Sequence, residues 1–164
     1  MVTKINKKSN KVTPKTNLDF DIWVLLDQTR DIISKARELE LDQYKLTRVQ
    51  ATVLFMLINH DRGVTLAEIS KWILREPHSV SSLINRMEKT GLVKKIKSLE
   101  APKINVVLTD KGRELYSNAS QQSIDMIFSS LSSEEKLRFK SELKKLRDKA
   151  RNLLGMDYKP PFLP

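Results

Sequence analysis

Between Thr65 and Gly91 the start and stop signals of helices stand so close together that one arrangement satisfies them all. Thr65 with Glu68 three residues on forms a capping box, in which side chains and backbone at a helix start satisfy each other. Leu66, Ile69, Trp72 and Ile73 then recur at helical spacing. The pattern stops at Leu74–Glu76, a tight turn. Pro77 takes the first position of the next helix, where its missing N–H costs nothing. That helix runs to Lys89, and Gly91 supplies the left-handed residue that closes it. A short helix, a tight turn and a second helix make a helix-turn-helix.

The flanking segments extend the helical pattern. Leu18, Ile22, Leu25, Leu26, Thr29, Ile32, Ile33, Ala36 and Leu39 predict a long helix over 18–41. Thr47 with Gln50 is a second capping box, Leu46 is placed for a hydrophobic staple, and Val49, Val53, Leu54, Leu57 and Ile58 form the buried stripe of the helix that follows. After Gly91, the β-branched runs Val93–Lys97 and Ile104–Leu108 predict a projecting hairpin with its loop at 98–103. Thr109 or Asp110 starts a fifth helix through about Ser130. Ser132 and Glu135 cap a sixth over 133–154, whose Phe139, Leu143, Leu146, Ala150 and Leu153 form a coiled-coil seam closed by Gly155. The chain therefore reads as mainly α. A basic tail (1–17) precedes a dimerisation helix (18–46) and a helix-turn-helix lobe with a hairpin (47–108). C-terminal dimerisation helices (109–154) and an extended, Pro-rich tail (155–164) follow.

Function is carried by the outer face of the fourth helix. Successive residues turn by about 100°, so Val80, Leu83, Ile84 and Met87 share one face. His78, Ser81, Ser82, Asn85, Arg86 and Lys89 share the other, with Ser79 at its edge. The polar face has no carboxylate, since Glu88 points sideways. Such side chains suit major-groove reading: Arg to guanine, Asn bidentate to adenine, Ser to base or phosphate. Between Arg62 and Arg113, eleven Lys or Arg face five acids, so this third of the chain holds six of the net +10 charges. A basic patch of this kind points to double-stranded DNA. The lysine-rich tail before Asn17 reads as a solvated segment or a phosphate-touching arm.

Three stretches together resemble the MarR family of bacterial regulators. They are Leu66-Ala67-Glu68-Ile69, the run from Ser79 to Val93 containing Arg86-Met87-Glu88-Lys89-Thr90-Gly91-Leu92-Val93, and Leu108-Thr109-Asp110-Lys111-Gly112. The stretch from Glu76 to Val93 is also similar to a subgroup associated with organohalide-respiration genes. The resemblance covers residues 18–154. It implies a winged helix-turn-helix, a homodimer formed by the terminal helices, and DNA binding through His78, Ser79, Ser81, Ser82, Asn85, Arg86, Lys89, Lys97 and Lys103. It also implies a small aromatic or phenolic effector. Trp23 and Tyr44, with Trp72, are candidate lining residues; the alternative makes Trp72 core and Tyr44 a loop anchor. One departure stands out. The family wing carries Asp-x-Arg near its tip, whereas this one reads Lys97-Ser98-Leu99-Glu100-Ala101-Pro102-Lys103, leaving Lys97 and Lys103 for phosphate contacts.

Other chemistry finds little support. The chain has no cysteine, which excludes disulfides and thiolate sites, and its two histidines, His60 and His78, lack ligand partners. The serines lie on helix faces and caps, without the oriented acid of a catalytic triad. Neither an enzyme, a cofactor nor a metal is expected. No secretory signal or membrane-length apolar run is present, so a cytoplasmic location without membrane partners is expected. The rival to a sequence-specific regulator is an architectural DNA protein without ligand, and a third class is an interaction module using its coiled-coil end. Asn85 and Arg86 favour the first over the second, and the basic hairpin argues against the third.

Overall fold

The computed structural model describes residues 17–60, 62–97 and 103–156. Asp61, most of the N-terminal arm, the wing tip Ser98–Pro102 and the tail bearing Tyr158, Phe162 and Leu163 lie outside the described residues. In order the elements are α1 (Leu18–Asp42), α2 (Arg48–Ile58), β1 (Val64–Thr65), α3 (Leu66–Ile73), α4 (Pro77–Lys89), β2 (Val93–Lys97), β3 (Ile104–Leu108), α5 (Asp110–Asn118), α6 (Gln122–Phe128) and α7 (Ser133–Leu153). No described helix is long and apolar enough to cross a membrane.

The chain divides into two compact units, residues 1–32 and 33–164. In the first, the described part is the opening of α1. Asn17 caps it, its Oδ1 accepting from the Phe20 N–H at 2.8 Å, and its Leu18, Ile22, Trp23, Leu25 and Ile32 are exposed. Phe20 and Trp23 pack ring against ring at 5.5 Å.

In the second unit all three capping boxes form as the spacing predicts, at Thr47 and Gln50, Thr65 and Glu68, and Ser132 and Glu135. Leu41, Leu54, Met56, Ile69, Ile84 and Met87 are fully buried in one core. Burying each such side chain favours the fold by about 1.5–3 kcal/mol. Leu74 ends α3 in the left-handed conformation, φ 52°, and the Ser70 hydroxyl donates to the Arg75 carbonyl at 2.6 Å to hold the turn.

Two expectations need correction. The hairpin is not alone: β1 adds a third strand, giving the antiparallel order β1-β3-β2 with Val64 opposite Val106 and Lys95 also opposite Val106 across β3. The single fifth helix to Ser130 is two helices, α5 and α6, broken at Ala119–Gln121. At that break the Arg37 guanidinium donates to the Ser120 carbonyl and pairs with Glu40 at 2.7 Å. The Glu40 carboxylate accepts from the Ser123 N–H at 3.2 Å and from its hydroxyl. A continuous helix would take the Ser120 carbonyl and Ser123 N–H into its own ladder, so the pair from α1 holds the ladder open.

Candidate nucleic-acid interface

Helix α4 is aimed by its apolar side. Val80, Ile84 and Met87 are fully buried and Leu83 nearly so, which turns His78, Ser82, Asn85, Arg86 and Lys89 to solvent in one row. Ser79 and Ser81 are half-buried at its two margins, so Ser81 sits at an edge and not within the face as its spacing implies. The helix opens with Pro77 at its start, Glu76 makes no side-chain cap bond, and its first turn has no acid. Uncapped N–H groups and the positive end of the dipole at a helix start of this kind favour phosphate.

The C-terminal end of α4 is welded to the hairpin and to α5. Gly91 adopts φ +75°. Its N–H donates to the Glu88 carbonyl at 2.9 Å, and the Leu92 N–H to the Met87 carbonyl at 2.9 Å, the paired bonds of a Schellman closure. The Thr109 hydroxyl lies 2.7 Å from the Gly91 carbonyl and 3.0 Å from that of Leu92, and it accepts from the Gly112 N–H at 3.0 Å. Lys111 donates to the Thr90 carbonyl at 2.8 Å. The Gly-Leu-Val and Leu-Thr-Asp-Lys-Gly stretches, read separately in the sequence, thus meet as one joint. It fixes the angle between α4 and the strands.

The wing lysines divide by role. Lys94, Lys97 and Lys103 are exposed, and Lys97 and Lys103 stand at the described ends of β2 and of the return to β3. Lys95 turns back toward α4. Its ammonium pairs with Glu88 at 3.1 Å and donates to Asn85 Oδ1, and its backbone N–H donates to Glu88 at 3.0 Å. Hydrogen bonds from the ammonium first, and then from this N–H, hold the Glu88 carboxyl below the ordinary carboxylate range. Sequence reasoning counted Lys95 only among the wing charges. Its place beside Asn85 depends on the strand's register against the helix, which no local spacing reveals.

The aromatic candidates fall in different units. Trp23 is 58% exposed in the first unit, while Tyr44 is half-buried against the core of the second. Trp72 also packs on that core, edge-on to His60 at 5.9 Å, in keeping with its structural reading.

A MarR family model matches residues 44–100. No curated protein matches the chain by sequence. Among solved structures, the organohalide-sensing RdhR-CbdbA1625 transcriptional regulator in its 2,4-dichlorophenol-bound form is 26% identical, covers 92% of each chain, and has a TM-score of 0.74. The S. aureus MepR–DNA complex is 23% identical over 82% of this chain and 99% of that chain, with a TM-score of 0.72. CouR from Rhodococcus jostii RHA1 bound to p-coumaroyl-CoA is 18% identical over 88% of this chain and 99% of that chain, with a TM-score of 0.70. For the last two the likeness is one of fold.

Proposed function

We propose that the chain, which a MarR family model matches over residues 44–100 and which shares the winged helix-turn-helix fold of such regulators, is a cytoplasmic homodimer that binds an inverted-repeat operator and represses transcription until a small aromatic or phenolic ligand releases it. The observation that carries this reading is the outer row of α4. His78, Ser82, Asn85, Arg86 and Lys89 are exposed together without a carboxylate among them, with Ser79 and Ser81 alongside. Arg86 reads a base edge, and Lys97 and Lys103 hold phosphates on either side of the wing. The second copy packs on the α7 seam, where Phe139, Leu146 and Leu153 are exposed on a helix rich in charge; an apolar stripe of this kind marks a contact surface. The 2,4-dichlorophenol bound by the RdhR-CbdbA1625 regulator supports the ligand class.

The test compares two variants on two DNAs. Arg86→Ala should weaken operator binding by about 1–3 kcal/mol and relax preference at one base step per half-site, leaving random DNA little changed. Lys97→Ala should weaken operator and random DNA alike and flatten the salt dependence. Fluorescence anisotropy titrations at several salt concentrations read both effects. Equal behaviour of the two variants on both DNAs would instead favour an architectural protein without base readers.

A further inference from the structure

We propose that Lys95 is a positioning residue that sets base specificity: it fixes which end of the Asn85 amide meets the DNA, so that Asn85 selects guanine before adenine. The inference rests on the sequence-specific reading given above and deepens it at one contact.

An asparagine amide carries an acceptor, Oδ1, and two donors on Nδ2, and it turns freely unless something holds it. Adenine's major-groove edge presents the N7 acceptor beside an amino donor, so a bidentate Asn needs both ends of its amide. Guanine presents two acceptors, N7 and O6. In this structure Oδ1 of Asn85 accepts from the Lys95 ammonium. An ammonium can only donate, so the bond fixes the orientation, with Oδ1 toward β2 and the Nδ2 donors turned away from it. A base approaching Asn85 therefore meets donors, with a cation behind them. That edge matches guanine. The adenine amino group would compete with an ammonium for Oδ1.

Lys95 is itself held. Glu88, one turn after Asn85 on α4, takes the ammonium at 3.1 Å through one carboxylate oxygen and the Lys95 N–H at 3.0 Å through the other. The Lys95 side chain is 26% exposed, whereas Lys94 and Lys97 beside it on the strand are open to solvent. Strand β2 is the edge of the sheet, bonded only to β3, and Glu88 fills the outward hydrogen-bonding position at Lys95. This anchor uses the backbone, so it survives removal of the lysine side chain.

The full-length protein is tested by selecting bound sequences from random duplexes. The base read by Asn85 is the position whose preference vanishes in Asn85→Ala. In the unsubstituted protein that base should be guanine. Lys95→Met should shift the guanine-to-adenine ratio toward adenine by roughly tenfold or more. Lys95→Arg should preserve guanine, because a guanidinium also only donates. In the Asn85→Ala background, Lys95→Met should change nothing further, a result that a purely structural role for Lys95 would not give. If Lys95→Met lowers the melting temperature, Lys95→Thr, a better strand former, supplies the same readout. Adenine at that position in the unsubstituted protein, or an unchanged ratio in a Lys95 variant that melts normally, overturns the proposal. So does a selected site in which Asn85→Ala removes no preference. Selection of no sequence at all would sink the sequence-specific regulator first, and this inference with it.

Discussion

A methyl group on Gly112 would overlap the carbonyl oxygen of Leu92 and press on the Leu108 side chain. The Leu-Thr-Asp-Lys-Gly stretch is therefore visible as a motif, yet its glycine is there for packing and not for DNA. It lets α5 start directly against the residue that follows the α4 cap. Gly112→Ala should cost about 3 kcal/mol, because the overlapped group is backbone and cannot rotate away. Urea unfolding followed by circular dichroism measures this, and a loss below about 0.5 kcal/mol would mean that the joint yields. Gly91 differs in kind: there a side chain has room, and the positive φ carries the requirement.

At the scale of elements, the Arg37–Glu40 pair links the last turns of α1 to the break between α5 and α6. Both side chains are nearly buried, 11% and 10% exposed. Burial alone would raise the Glu40 carboxyl, but hydrogen bonds from Ser123, Ser120 and Arg37 outweigh it and lower the pKa from 4.5 to about 2. A group ionised more readily folded than unfolded stabilises the fold above its unfolded pKa, and that contribution is lost as pH falls through the folded value. Glu40 should thus contribute on the order of 2–3 kcal/mol at neutral pH, declining between about pH 4.5 and pH 2. Glu40→Gln should be less stable at pH 7 and lose less on acidification. Denaturant midpoints at pH 7 and pH 3 for both proteins check this, and parallel losses would place the acid sensitivity elsewhere. The same pair shows where sequence reading stops. Each capping box joins residues three apart, so Thr47, Thr65 and Ser132 announce their helices unaided. The break at Ala119–Gln121 has neither Gly nor Pro and is imposed by side chains from another helix. Strand β1 is two residues long, too short for any periodicity, and its pairing partner Val106 lies far along the chain. The apolar face of α4 was legible because one helix decides it. The Glu88–Lys95–Asn85 set was not, because it needs the hairpin folded back onto that helix.

For the whole molecule, the proposed two-fold dimer brings two copies of α4 to successive major grooves. Their half-sites should then lie about 10 bp apart, centre to centre. Inserting five base pairs turns the second groove to the far side of the duplex and should abolish high-affinity binding. Ten restores the face but stretches the spacing, and affinity should stay low. Gel-shift titration on the three operators decides it; affinity unchanged by the five-pair insertion would mean that no more than one half-site is read. Each chain carries +10, so affinity should fall on the order of a thousandfold between about 50 and 200 mM salt if about six phosphates are contacted. The joint at Gly91, Leu92, Thr109 and Gly112 bears on how such binding can be switched off. A hinge with no clearance has almost no compliance, so a rotation of α5 is passed on undiminished to the strands rooted in it. From Val93 to Lys97 the strand reaches about 13 Å, and on that lever arm a tilt of about 10° sweeps Lys97 through about 2 Å. A hydrogen bond tolerates a stretch of only about 0.5 Å, so for the proposed Lys97–phosphate contact a small turn of one helix would exceed that tolerance.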